Sequence, residues 1–276
     1  MTRVVVRNLA PGDVSSALEL SIAANWNQTP EDWHRILQLA PGCCRCIDDA
    51  GKVIATTTLL PYGTGLGWIG MVLTSNEHRR QGLGRKLIED AIASAEEQGI
   101  RTLKLDATDE GRPLYESFGF AVEQPIERWG RNGEEIHSTK GNCRDPHGLS
   151  GELCSLDAEA FGASRKVLLE LLSNAGVCDA KSEGYVLSRP GRTARYLGPC
   201  VASSETAAMH LIAAHVEANA SESGWYWDLL PVNRAAARCA ESLGFTRRRI
   251  LWRMSRGAGI DKNDAMVYAI AGFELG

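Results

Sequence analysis

Between positions 79 and 85 the chain reads Arg79-Arg80-Gln81-Gly82-Leu83-Gly84-Arg85, two glycines among three arginines. Gly82 and Gly84 have no Cβ, so the backbone there can turn tightly and bring its N–H groups against a ligand. Leu83, Leu87, Ile88, Ala91, Ile92 and Ala95 recur at helical spacing just beyond, which predicts an amphipathic helix. The amides therefore sit at a helix N-terminus, where unpaired donors and the helix dipole favour an anion. With three guanidinium groups nearby, the guest is a phosphate-bearing ligand. Two other phosphate loops are excluded. No G-x-x-x-x-G-K-[ST] run is present, and Leu87 stands where a dinucleotide fingerprint needs its third glycine.

Two more side chains bear on chemistry. Tyr115 carries a hydroxyl with an ordinary pKa near 10, protonated at neutral pH. Asp106 offers a carboxylate beside the same stretch, suited to orienting an ammonium. Glu77 and His78 flank the glycine loop as solvated groups, and neither His34 nor His137 has an evident partner. Cys43-Cys44-Arg45-Cys46 lacks the paired C-x-x-C spacing of a zinc site; alternation along a strand explains it, and no metal is expected.

The elements that position these residues are short. Residues 68–73 form an apolar run suited to a buried strand. The helix from 83 stops at Gly99, and 102–107 reads as a second strand, which makes a strand–helix–strand unit. In this setting Arg79-x-x-Gly82-x-Gly84 resembles the loop of the GNAT family of acetyl-CoA-dependent N-acyltransferases. Tyr115-Glu116-Ser117-Phe118-Gly119-Phe120 is similar to the same family's Y-E-x-x-G-F. The resemblance implies an α/β fold with a mixed central sheet flanked by helices. It implies acetyl-CoA as co-substrate, with Val72, Leu73 and Thr74 contacting the pantetheine arm and Arg79, Arg80, Gln81, Gly82, Leu83, Gly84 and Arg85 the pyrophosphate. It gives Tyr115 the role of protonating the thiolate and places Trp26, Asn27 and Met71 at the amine acceptor; Asp106, on the strand beside the thioester site so implied, is the second catalytic candidate, as a carboxylate that orients the substrate ammonium. Where the family often has an Asn, seven residues before the Tyr, this chain has Thr108.

Composition bounds the rest. The 276 residues, 44% hydrophobic and 23% charged, suit a globular protein of one large or two ordinary domains. No apolar run approaches membrane-spanning length, and a net charge of −4 argues against a nucleic-acid surface. Arg247-Arg248-Arg249 is then a solvated strand end. Eight cysteines without a secretory signal predict reduced thiols and a cytoplasmic protein. Asp13 is expected to cap a helix through 24 with Ala17, Leu18 and Ile22 on one face, and Thr29-Pro30-Glu31-Asp32 to start another that ends at Pro41-Gly42. Trp26, between them, reads equally as acceptor pocket or as packing. Residues 48–52 make a hairpin turn. Residues 131–150 carry no periodicity and read as a linker. Ser164 is expected to cap a helix with Val167, Leu168, Leu171 and Leu172.

The second half then repeats the first. Tyr196-Leu197-Gly198 answers Trp68-Ile69-Gly70, an amphipathic helix spans 204–218, Trp225 to Leu229 answers 103–106, and Ser242-Leu243-Gly244-Phe245 answers Ser117-Phe118-Gly119-Phe120. Matching order and spacing indicate an internal duplication: a coenzyme A-binding domain over 1–130, a linker over 131–150 and a degenerate GNAT-like domain over 151–276. Ala202-Ser203-Ser204-Glu205 has lost the glycines and arginines, and Ala240 stands where Tyr115 did. Residues 266–270 read as a strand completing the second sheet. The function expected is acetyl transfer to a primary amine of a small molecule or peptide, by direct attack in a ternary complex, with a backbone N–H of Val72 or Leu73 at the oxyanion. Other readings are a non-catalytic acyl-CoA sensor and a phosphate-binding α/β protein without acyl chemistry. No nucleic-acid or membrane partner is expected, and the chain is monomer or homodimer.

Overall fold

A computed structural model describes residues 5–133, 149–219, 221 and 223–276. The first half runs β1 (Val6–Asn8), α1 (Val14–Ala23), α2 (Pro30–Leu39), β2 (Cys44–Asp49), β3 (Lys52–Tyr62), β4 (Leu66–Thr74), α3 (Leu83–Glu97), β5 (Thr102–Ala107), α4 (Arg112–Glu116) and β6 (Ala121–Arg131). The second runs α5 (Gly151–Phe161), α6 (Lys166–Ala175), β7 (Val177–Lys181), β8 (Gly184–Arg189), β9 (Arg195–Ala202), α7 (Glu205–Ala218), β10 (Trp225–Leu229), α8 (Arg234–Ser242), β11 (Thr246–Gly257) and β12 (Val267–Ala269).

Local chemistry sets most of these boundaries. Thr29 and Asp32 cap α2 reciprocally, with Pro30 in its first turn. Ala50 and Gly51 take positive φ in the β2–β3 hairpin, whose twist such turns match. Two expected caps differ. The Asp13 carboxylate bonds the Ala10 N–H and the Arg7 guanidinium instead of capping α1, and α1 buries Val14, Ala17, Leu20 and Ser21 while Ile22 is exposed. Ser164 does not cap α6, whose buried face is Leu168, Leu169 and Leu172, with Val167 exposed. Helix α5, capped by Ser150 through the Leu153 N–H, was not expected; its apolar positions are interrupted by Glu152, Ser155 and Glu159. Residues 134–148, which hold most of the expected linker and His137, lie outside the described residues.

Among the described residues the strands form one mixed sheet, ordered β1-β2-β3-β4-β5-β11-β6-β10-β9-β8-β7, with β12 on β9. Only β4–β5 and β9–β10 are parallel. The repeat is visible in this order, but each half has exchanged the strand that follows its Gly-Phe turn. β11 pairs with β5, β6 pairs with β10, and the two exchanged strands pair with each other.

The exchange is fastened by two equivalent ion pairs. On β11, Arg253 stands in register with Asp106 of β5 and donates from Nε and Nη2 to its two oxygens at 3.0 Å each. On β6, Arg128 stands in register with Asp228 of β10 and makes the same fork at 2.7 and 2.6 Å. Both aspartate side chains are 0% exposed. Such forks match a planar guanidinium to a carboxylate with little loss of freedom. Each arginine also stacks on an equivalent ring, Arg253 over Trp68 at 4.6 Å and Arg128 over Tyr196 at 6.0 Å. The largest apolar cluster runs through both halves, including Trp33, Ile36 and Trp68 with Phe161, Leu168 and Tyr185.

Removing one partner of a buried pair leaves the other charge without compensation, at a cost of about 3–5 kcal/mol. Arg253→Ala is therefore expected to lose about that much stability in urea denaturation. A loss below about 1 kcal/mol, the scale of an exposed ion pair, would show that the fork does not hold the exchanged strand.

Candidate functional site

The parallel strands β4 and β5 pair only at Gly67–Leu103 and Trp68–Lys104; beyond Trp68 they diverge. A bulge in β4 opens them: the register with β3 shifts between Thr56 and Thr58, and Met71 takes φ 49° with its carbonyl accepting from the Thr56 hydroxyl at 2.8 Å. A left-handed Met is strained backbone, of the kind that collects at functional sites. The divergence leaves the β5-facing edge of β4 without a strand partner. A cavity of about 640 Å³ follows that edge, lined by Met71, Val72, Leu73 and Thr74 on one side and Leu105, Asp106 and Thr108 on the other. Its size is that of a small-molecule site.

One end of the cavity is the glycine loop, where Arg79, Arg80, Gly82, Leu83, Gly84 and Arg85 all line it. Gly82 is the residue before α3 and has φ 80°, the left-handed region that glycine adopts freely. The first helical bond runs from the Lys86 N–H to the Gly82 carbonyl at 3.1 Å, so the amides of Leu83, Gly84 and Arg85 are the unpaired donors of a helix start. They face the cavity together with Arg79, Arg80 and Arg85, and these residues fit a pyrophosphate. Gln81 is off the lining, its amide bonded to the Glu77 carbonyl.

At mid-cavity Tyr115 from α4 lines the wall and also packs edge-on against Phe120, ring centroids 6.2 Å apart. Burial pushes its pKa well above the usual tyrosine value. Asp106 borders the cavity, but its carboxylate is engaged by Arg253; burial pushes its pKa up and Arg253 opposes that.

The far end is built from both halves and from the segment after β12. Trp26, half-buried, lines it with Gln28, Arg128, Arg249, Phe273 and Glu274. Asn27 is not on the lining: its side chain clamps the β8–β9 turn, accepting from the Thr193 and Ala194 N–H groups and donating to the Ala194 carbonyl. Glu274, 4% exposed, accepts from Gln28 at 3.0 Å and from Arg189 at 3.4 Å. Burial pushes its carboxyl pKa up against the pull of Arg189. Sequence reading missed Glu274, which is remote in the chain from every motif. It also placed Arg249 on a solvated strand end, whereas only Arg247 and Arg248 of that run are exposed. The spacing from Gly244-Phe245, read against Gly119-Phe120, was the available signal for β11.

The equivalent cleft of the second half is filled by the chain itself. Strand β12 pairs with Cys200 and Val201 of β9, the counterparts of Val72 and Leu73 two and three residues past the repeated glycine. The Tyr268 carbonyl accepts from Trp227 Nε1 at 2.8 Å, and the Ile270 N–H donates to the Asp228 carbonyl at 3.0 Å. From there the segment crosses to β4, where the Phe273 carbonyl accepts from Trp68 Nε1 at 2.9 Å. Gly70 makes this crossing possible, since a Cβ there would lie 2.9 Å from the Glu274 Cα.

Comparison with known proteins agrees with this geometry. The acetyltransferase (GNAT) family description matches residues 16–120, and a second acetyltransferase (GNAT) domain description matches 153–269. The uncharacterized N-acetyltransferase YitH of Bacillus subtilis is 28% identical over 213 residues, 72% of this chain and 73% of that protein. A crystal structure of a candidate acetyltransferase from Pyrococcus horikoshii superposes with a TM-score of 0.88 over 100% of this chain and 97% of its own, at 20% identity. A tandem GNAT protein from the clavulanic acid biosynthesis pathway superposes at 0.62 over 93% and 99%, at 15% identity. At those identities the two structures establish the fold alone.

The loop geometry carries its own test. Coenzyme A at 100 times its dissociation constant should stabilise the folded chain by about 2.7 kcal/mol. In Gly82→Val the added side chain meets open space, so the apo fold should persist. The left-handed backbone, however, costs a β-branched residue about 1–2 kcal/mol, so the loop should shift and the coenzyme A-dependent rise in Tm should vanish. An unchanged rise would remove Gly82 from the site.

Proposed function

Because the chain belongs to the GNAT acetyltransferase family and is an acyltransferase, we propose that it moves the acetyl group of acetyl-CoA to a primary amine of a small molecule or peptide, by direct attack with both substrates bound. The observation that carries this reading is the continuity of one cavity from the anion cradle at α3, along the open edge of β4, to a buried polar end beside Glu274. When bound, acetyl-CoA supplies an activated thioester carbon.

The chain's residues then divide the work. The α3 amides and the arginines of the loop hold the pyrophosphate. Val72, Leu73 and Thr74, on the β4 edge without a strand partner, bond the pantetheine arm, and the N–H of Val72 or Leu73 stabilises negative charge at the carbonyl oxygen. One such donor is worth about 3 kcal/mol. Tyr115, kept protonated by burial, donates to the departing sulfur. Glu274, its carboxyl pKa raised by burial, accepts the proton that the ammonium must lose before it can attack. Trp26 and Met71 wall the acceptor end, while Asn27 positions the loop that carries Trp26 and Gln28. Asp106 acts through Arg253 as a positioning residue. Leu105, Leu251 and Phe273 present apolar surface along the cavity and limit water around the thioester. One coenzyme A binds per chain, in the first half, because the second half's cleft holds β12.

Thiol release from acetyl-CoA with a panel of primary amines tests the reaction. Tyr115→Phe should lower kcat about 100-fold or more and leave coenzyme A affinity unchanged; an undiminished kcat would make Tyr115 a packing residue. Activity should fall as pH drops through the Glu274 pKa, because the base is protonated below it, and Glu274→Gln should abolish that acid limb. Tight coenzyme A binding with no thiol release for any amine would favour the sensor reading.

A further inference from the structure

The three arginines at the start of β11 have different surroundings. Arg247 donates to Glu127 at 2.9 Å and Arg248 to Asn132 at 3.4 Å, both on the surface. Arg249 turns into the cavity, its guanidinium 5.3 Å from the Phe273 ring. Its Nε is buried and has no hydrogen-bond partner, and no carboxylate of the described residues pairs with it. Arg128, which faces Arg249 across the β6–β11 register and also lines the cavity, has its Nε and Nη2 engaged by Asp228. Burial and the Arg128 charge pull the Arg249 pKa down to about 10, so it is cationic at neutral pH.

Strand pairing does not require that cation. Counting from Phe120 and Phe245, the counterpart of Arg249 on β6 is Gln124, whose amide bonds Asp264 at 2.8 Å. The fold therefore accepts a neutral residue at this register. A half-buried guanidinium with an orphaned N–H and no paired carboxylate is costly, and at the acceptor end of a substrate cavity a group on the substrate can supply the counter-ion. The same end presents a second orphan of opposite sense: Gln28 Oε1 is buried without a donor, beside Glu274. A donor for an anion and an acceptor for a cation thus line one end of one cavity.

We propose that the amine acceptor carries a carboxylate and that Arg249 binds it, with the amine end directed to Gln28 and Glu274. The substrate class is an amino acid or another small amine bearing a carboxylate. This rests on the acetyl-transfer reading above and narrows its acceptor. A guanidinium edge presenting Nε and Nη matches the two oxygens of a carboxylate, whereas an amine with a second positive charge is repelled by the same group.

Calorimetry on the coenzyme A-saturated full chain, with N-acetylated amino acids and their carboxamides as probes, tests the site without turnover. At least one acid of the set should bind about tenfold or more tightly than its carboxamide, the worth of a charge-assisted bond. That preference should collapse in Arg249→Gln, recover in part in Arg249→Lys, and leave coenzyme A affinity unchanged throughout. Equal binding of acids and carboxamides, no binding by any acid, or a preference surviving in Arg249→Gln overturns the proposal. Initial rates with the free amines separate it from the reaction itself. Acid binding as expected with no turnover of any amine leaves the carboxylate site standing and removes the acetyl-transfer reading. Turnover of carboxamides or polyamines equal to that of amino acids does the reverse.

Discussion

Two buried arginine–aspartate forks hold the exchanged strands of this chain, and the rest of the architecture depends on them. Arg253 reaches Asp106 and Arg128 reaches Asp228, each across a strand pair that joins the two halves. A buried ion pair is weak as a source of net stability, because desolvation offsets most of the attraction. Its stronger effect is on register. A one-residue slip of β11 would turn Arg253 to the other face and leave Asp106 buried and unpaired. The forks therefore fix which residues of β11 face the first-half cavity, and that is how Arg249 and Leu251 come to line it.

The duplication produces two clefts from one plan, and the chain uses them differently. In the first, the edge of β4 past Trp68 stays open and meets the glycine loop. In the second, β12 lies on Cys200 and Val201 of β9, the counterparts of Val72 and Leu73. The loop chemistry was lost in the same copy, since Ala202 to Glu205 has neither glycine nor arginine. The segment that closes one cleft continues to the other and supplies Phe273 and Glu274 to the far end of its cavity. The second repeat thereby becomes a wall of the first half's cavity.

The glycine loop and the repeat were legible in the sequence because both depend on local rules: glycine where the backbone is left-handed, helical periodicity after it, and matched spacing between copies. The helix of 83–97 and the strand of 102–107 lie where those rules put them. What was not legible depends on partners far away in the chain. Asp106 looks like a free carboxylate until β11 arrives beside it, 147 positions on, and Asn27 looks like a pocket residue until the β8–β9 turn reaches it 167 positions on. Arg249 looked solvated because a run of three arginines says nothing of which one a strand turns inward. Helix α5 escaped notice because its buried residues, Leu153, Asp157, Ala160 and Phe161, include a carboxylate neutralised by Arg165.

With the second cleft closed by β12, we propose that one chain holds one donor site. Titration calorimetry of the full chain with acetyl-CoA measures this directly. A stoichiometry of one per chain is expected; two sites per chain would contradict a single donor site.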